Sequence, residues 1–201
     1  IFNLSSNDIN NFGSLTWINK GSIERSYVTT NISNYFSSTH CDFFTTPRVS
    51  DVGGLVGINY GLINNTYTNY TMILNNQDNC LYSNIGGLVG RNNGSIINSY
   101  SNGSLIVFKA NHIGGLIGNN TFGYVNNSYS TSYVNFEGTG IHVGGLIGYN
   151  PLGDSNIKNV WYSNLVDGAS GCIGTGGGFC TNTGIASFFN SLTDVYDNVL
   201  P

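Results

Sequence analysis

The chain has 201 residues and a formal net charge of −4, with only six Lys and Arg against ten Asp and Glu. Charged residues make up 8%, where an ordinary domain carries about 25%, so the basic footprint of a nucleic-acid-binding protein is missing. A content of 40% hydrophobic and 13% aromatic residues also sets it apart from disordered chains, and apolar runs of about five residues fall far short of the roughly 20 that span a membrane.

Residues 1–12 form an N-terminal extension. Ile1, Asn3 and Ser5 alternate with Phe2, Leu4 and Ser6, as in a strand able to pair with the edge of a neighbouring copy. From residue 13 to 165 one phrase recurs. It reads GGLVGRNNGSIINSYS from Gly86, GGLVGINYGLINNTYT from Gly53, GGLIGNNTFGYVNNSYS from Gly114 and GGLIGYNPLGDSNIKNVWYS from Gly144, with a degenerate copy, GSLTWINKGSIERSY, from Gly13. Repeats of about 30 residues mark an array whose units bury their apolar faces by stacking on one another. Segments of four to seven residues rich in Ile, Val, Leu and Tyr, bounded by Gly and Asn, predict strands. Helices are disfavoured because each interior Gly costs about 1 kcal/mol. The expected fold is all-β: a β-solenoid of about five coils, with residues 166–201 as a capping tail closed by a disulfide.

Stacking the copies aligns four columns: Leu15, Leu55, Leu88, Leu116 and Leu146; Ile23, Ile63, Ile96, Val125 and Ile157; Tyr27, Tyr67, Tyr100, Tyr129 and Trp161; and Asn19, Asn59, Asn92, Asn120 and Asn150. At about 4.8 Å per coil the Leu and Tyr columns are expected as buried core ladders and the Asn column as an amide-to-amide ladder. An inward Tyr column would place its flanking hydroxyls, Thr66, Thr68, Ser99, Ser101, Ser128 and Ser130, outward as a solvated face. Such rows are also what an ice-binding solenoid presents.

The signature Gly-Gly-Leu-(Val/Ile)-Gly-x-Asn followed by Gly-x-(Ile/Val)-x-Asn-Ser-Tyr-Ser resembles the GLUG motif, over about residues 13–163. The resemblance implies the setting of large secreted surface proteins of the adhesin and IgA-peptidase type, with the motif as a structural repeat that carries no catalytic residues.

Four cysteines fit an oxidising compartment. Cys41 and Cys80 fall at nearly the same place on adjacent coils, and Cys172 and Cys180 bracket a glycine-rich loop, so two disulfides are expected; the spacings contain no zinc-type cysteine pair. His112 and His142 align with Asp51 and Asn84 in an expected exposed polar column. Of the Asn-x-Ser/Thr sites, Asn31, Asn69, Asn93 and Asn102 are the glycosylation candidates. No repeat supplies a carboxylate pair, and no nucleophile triad, metal-ligand motif or phosphate loop is present, so neither an enzyme nor a cofactor is expected. The sequence reading is thus an extracellular structural protein, a glycosylated filament subunit joined head to tail. The alternatives are the stalk of a larger adhesin or surface protease-type protein, and a solenoid that binds a host or cell-surface ligand, or ice.

Overall fold

A computed structural model describes residues 2–4, 11–36, 51–76, 82–136, 142–162, 166–167, 171–178 and 180–182. The described chain is all-β, and every strand pair in it is parallel. Its one helical element is a short 3-10 turn at Gly153–Asn156. Parallel pairing between successive repeats is what a solenoid requires: each strand meets its counterpart one coil away.

A coil contains four strands, and each strand belongs to a row running along the rod. The first row is Asn11–Gly13, Asp51–Gly53, Tyr82–Gly86, Ala110–Gly114 and His142–Gly144. The second is Thr16–Asn19, Val56–Asn59, Val89–Asn92, Ile117–Asn119, Ile147–Asn150 and, from the tail, Ile173–Gly176. The third begins Ser22–Glu24, Leu62–Asn64 and Ser95–Ile97, and the fourth is built on the long strands Tyr27–Phe36, Tyr67–Asn76 and Tyr100–Val107. The third and fourth rows merge into a 12-stranded sheet. Among the described residues five coils are therefore present, and the tail starts a partial sixth. Phe2–Leu4 pairs with Thr30–Ile32 of its own chain, so the N-terminal strand covers the fourth-row edge of the first coil. This is a different place from the neighbouring copy that the sequence reading allowed.

Two apolar clusters fill the rod. One joins the first row to the fourth through Ile85, Ile113, Met72, Leu74, Leu105 and Val107; the other joins the second row to the third through Leu55, Leu88, Leu116, Leu146, Ile63 and Ile96. The expected Leu ladder holds from Leu55 to Leu146, each fully buried, but Leu15 is 52% exposed. An end coil packs on one neighbour only, so the first member of a ladder keeps a bare side.

The Tyr column is in register, Tyr27 to Tyr67 to Tyr100 to Tyr129 to Trp161, but it is not a core ladder. Tyr27 is 67% exposed, and Tyr67, Tyr100 and Trp161 are half-buried; only Tyr129 is buried. The hydroxyls expected outside lie inside, with Thr66, Thr68, Ser99, Ser101, Ser128 and Ser130 all at 1% exposure or less. The cause is one residue per coil. Arg25, Asn65, Asn98, Asn127 and Asn159 have φ between 46° and 52°, the left-handed region that Asn tolerates better than most residues. A left-handed residue between the third and fourth rows breaks the strict in-out alternation, so Thr66 follows Ile63 into the core and Tyr67 turns out.

Candidate functional site

The interior polar groups are organised as spines. Asn19 donates from Nδ2 to Asn59 Oδ1 (2.8 Å), Asn59 to Asn92 (2.8 Å), Asn92 to Asn120 (2.8 Å) and Asn120 to Asn150 (3.0 Å). The Oδ1 atoms of Asn19, Asn59 and Asn92 accept the backbone N–H two residues on, from Gly21, Gly61 and Gly94, which fixes the turn after the second row in those coils. At the C-terminal end Asn150 Nδ2 donates to Gly177 O of the tail (2.6 Å), so the ladder is closed there by the chain itself. The buried hydroxyls also meet backbone: Thr68 and Ser101 donate to the carbonyls of Gly87 and Gly115 (2.9 and 2.7 Å). Burying these ladder amides and hydroxyls is tolerable because each is paired.

On the surface the Tyr rings stack at centroid distances of 5.2, 4.8 and 4.7 Å with interplanar angles of 8° or less. Burial, and then the neighbouring Tyr67, push the Tyr100 phenol up to about 12. Beside this stack runs a second amide ladder, Asn159 to Asn127 to Asn98 to Asn64, with bonds of 3.0, 3.2 and 3.3 Å.

The first row carries the densest titratable group. Asp51, Asn84, His112 and His142 are in register, but the column is not the exposed one expected: Asp51 is fully buried and Asn84 nearly so. Asp51 accepts from Asn84 Nδ2 and from Arg91 Nη2, each at 2.5 Å. Since Asn84 gives its amide to Asp51, its Oδ1 faces His112 Nδ1 (2.6 Å), and the ring proton is assigned to that nitrogen. His142 Nδ1 meets Thr175 Oγ1 at 2.5 Å. The two imidazoles stack at 5.1 Å, and Tyr149 packs on both at 4.9 and 5.2 Å. Burial raises the Asp51 pKa in spite of its partners; burial and then the charge of His142 lower that of His112 to about 4, and burial lowers that of His142. The column holds one carboxylate, engaged by an amide and a guanidinium. Among the described residues no three His, Cys, Asp or Glu gather as they would around a metal.

The glycosylation candidates Asn31, Asn69 and Asn102 are exposed on the outer side of the fourth row, the last two opposite each other on adjacent coils. Asn93 is half-buried, with a buried Oδ1 that has no partner among the described residues. Cys172 and Cys180 form the expected disulfide, with Cα atoms 6.1 Å apart, while Cys41 and Cys80 lie outside the described residues.

Residues 82–106 match the GLUG motif. The matched unit is the third coil through its first three strands and most of the fourth, from Tyr82 to Ile106. Its Gly-Gly-Leu is the turn between the first and second rows, its Asn92 the ladder residue, and its Asn98 the left-handed corner. The GLUG pattern is thus a list of what stacking demands. No curated protein and no solved structure matches the chain at a significant level.

Proposed function

We propose that this GLUG solenoid is a non-catalytic, extracellular, glycosylated structural rod that associates end to end with other copies, the N-terminal end of one against the C-terminal end of the next. The observation that carries this reading is the state of the ends. Asn11–Gly13, Thr16–Asn19 and Ser22–Glu24 stand last in their rows, each pairing on one side only among the described residues, and Leu15, Trp17 and Tyr27 of the same coil are exposed. Unpaired backbone edges beside apolar side chains are a template for another strand or rod. The tail disulfide and the GLUG motif support an oxidising, extracellular setting. The buried hydroxyl rows speak against an ice-binding face.

A stalk module of a larger adhesin is the second reading, favoured by the same free edges, on which further coils of one longer chain could sit. Sedimentation velocity and negative-stain microscopy over a wide concentration range separate the two: end-to-end rods support the filament subunit, and monomers at every concentration refute it.

A further inference from the structure

The polar column of the first row fixes the tautomer of two imidazoles through hydrogen bonds alone. Asn11, Asp51, Asn84, His112 and His142 follow one another coil by coil. The Asp51 carboxylate, paired with Arg91, can only accept, so Asn84 turns Nδ2 to it and presents Oδ1 to His112 Nδ1 at 2.6 Å. An amide oxygen can only accept in its turn. In the neutral ring Nδ1 therefore carries the proton and Nε2 keeps its lone pair. A separate relay acts on the next ring. The Thr175 hydroxyl gives its one proton to Gly174 O (2.8 Å), and its oxygen meets His142 Nδ1 at 2.5 Å. His142 is then also protonated at Nδ1 and bare at Nε2. Among the described residues no hydrogen bond reaches either Nε2.

We propose that His112 and His142 form a two-imidazole site for a divalent transition-metal ion, bound through both Nε2 atoms, with Cu(II) the preferred ion. The inference is independent of whether the rods associate. A metal-ligating histidine typically donates its other ring N–H to an oxygen, which fixes the tautomer and raises the basicity of the ligating nitrogen. Here two rings have that arrangement, each from its own relay. They stack one coil apart at 5.1 Å with 6° between their planes, and Tyr149 packs on both as a side wall. An ion about 2.1 Å from each nitrogen spans at most about 4.2 Å, so the ring tips must lean together by about 1 Å. The His142 bond is exposed where that of His112 is part-buried, which makes His142 the ring with room to move. Burial keeps His112 neutral down to a pKa of about 4 and lowers that of His142, so protons compete little with a metal at neutral pH. Imidazole suits copper, nickel and zinc, and Cu(II) binds tightest of the divalent series at a given site. With two protein ligands the site is an open one, its other positions left to water. An ion held there ties the fourth coil to the fifth.

The test titrates the full, disulfide-bonded chain with Cu(II), Ni(II) and Zn(II) in a non-coordinating buffer, read by calorimetry and by electron paramagnetic resonance of the Cu(II) form. The expected result is one site per chain, tightest for Cu(II), with two imidazole nitrogens in the Cu(II) spectrum. His112→Asn and His142→Asn place at each position the residue that Asn84 supplies to the same column, and circular dichroism checks their fold. Groups that hold a ligating histidine are worth roughly 10-fold or more in metal affinity. Thr175→Val, which keeps both rings and removes the acceptor of the His142 proton, should weaken binding by about that factor, and the loss of either ring by more. A one-nitrogen spectrum from the unmodified chain overturns the site, and that reading needs no variant to fold. Affinity unchanged in either Asn variant overturns it as well, as does binding that His40→Asn abolishes instead. Affinity unchanged in Thr175→Val refutes the relay that leaves His142 Nε2 bare.

Discussion

Truncating Asn92 to Ala tests the interior amide ladder where it bears most. The side chain accepts from Asn59 Nδ2, donates to Asn120 Oδ1 and accepts from the Gly94 N–H. Without it, Asn59 Nδ2 still reaches the carbonyls of Gly61 and Ser95, but Asn120 Oδ1 loses its donor in a fully buried setting and the Gly94 N–H loses its acceptor. Each buried group left unpaired costs about 1–3 kcal/mol, so the substitution should cost about 3 kcal/mol in all. For a chain of this length that lowers the thermal midpoint by about 6–12 °C. Asn19→Ala is the control. Asn59 Oδ1, which accepts from Asn19, also accepts from the Gly61 N–H, so no group in the second coil is stripped of all partners, and the loss should be about 1 kcal/mol. Urea titrations followed by circular dichroism would measure both, and hydrogen exchange at the Gly94 amide would localise the larger. Equal costs at the two positions, or an Asn92→Ala midpoint within about 0.5 kcal/mol of the parent, would refute the ladder as a cooperative spine.

Leu88→Asn should cost about 2–4 kcal/mol through lost burial and an unsatisfied amide, whereas Leu15→Asn, at a half-bare end position, should be close to neutral by thermal unfolding. The His112 pKa of about 4 lies below its ordinary 6.5, so the unfolded chain binds more protons between those values and stability should fall as pH drops from 6.5 to 4. Asp51, with its pKa raised, acts in the opposite sense just above 3.8, where stability falls as pH rises. His112→Asn should flatten the 6.5-to-4 slope in urea midpoints taken at several pH values, and an unchanged slope would rule out His112 as its source. Non-reducing peptide mapping of secreted protein should join Cys41 to Cys80 as well as Cys172 to Cys180; free thiols at 41 and 80 would remove that pairing. Glycopeptide analysis should find Asn31, Asn69 or Asn102 occupied and Asn93 bare, because the Asn93 Oδ1 is buried.

The chain displays its fold openly because stacking repeats the same steric demand five times. Each aligned column in the sequence became a registered column in space: the Leu residues, the Ile and Val residues, the amides and the tyrosines. What the columns could not convey was their facing. Strict alternation from Ile63 would turn Tyr67 inward, but a left-handed residue at Asn65 intervenes. The clue was present as Asn at 65, 98, 127 and 159, four of five coils, a residue type that marks such corners. The polar column had a different obstacle. Asp51 looked like a surface residue because its partner Arg91 lies 40 positions away and in the next coil, and nothing periodic announces a pair made once.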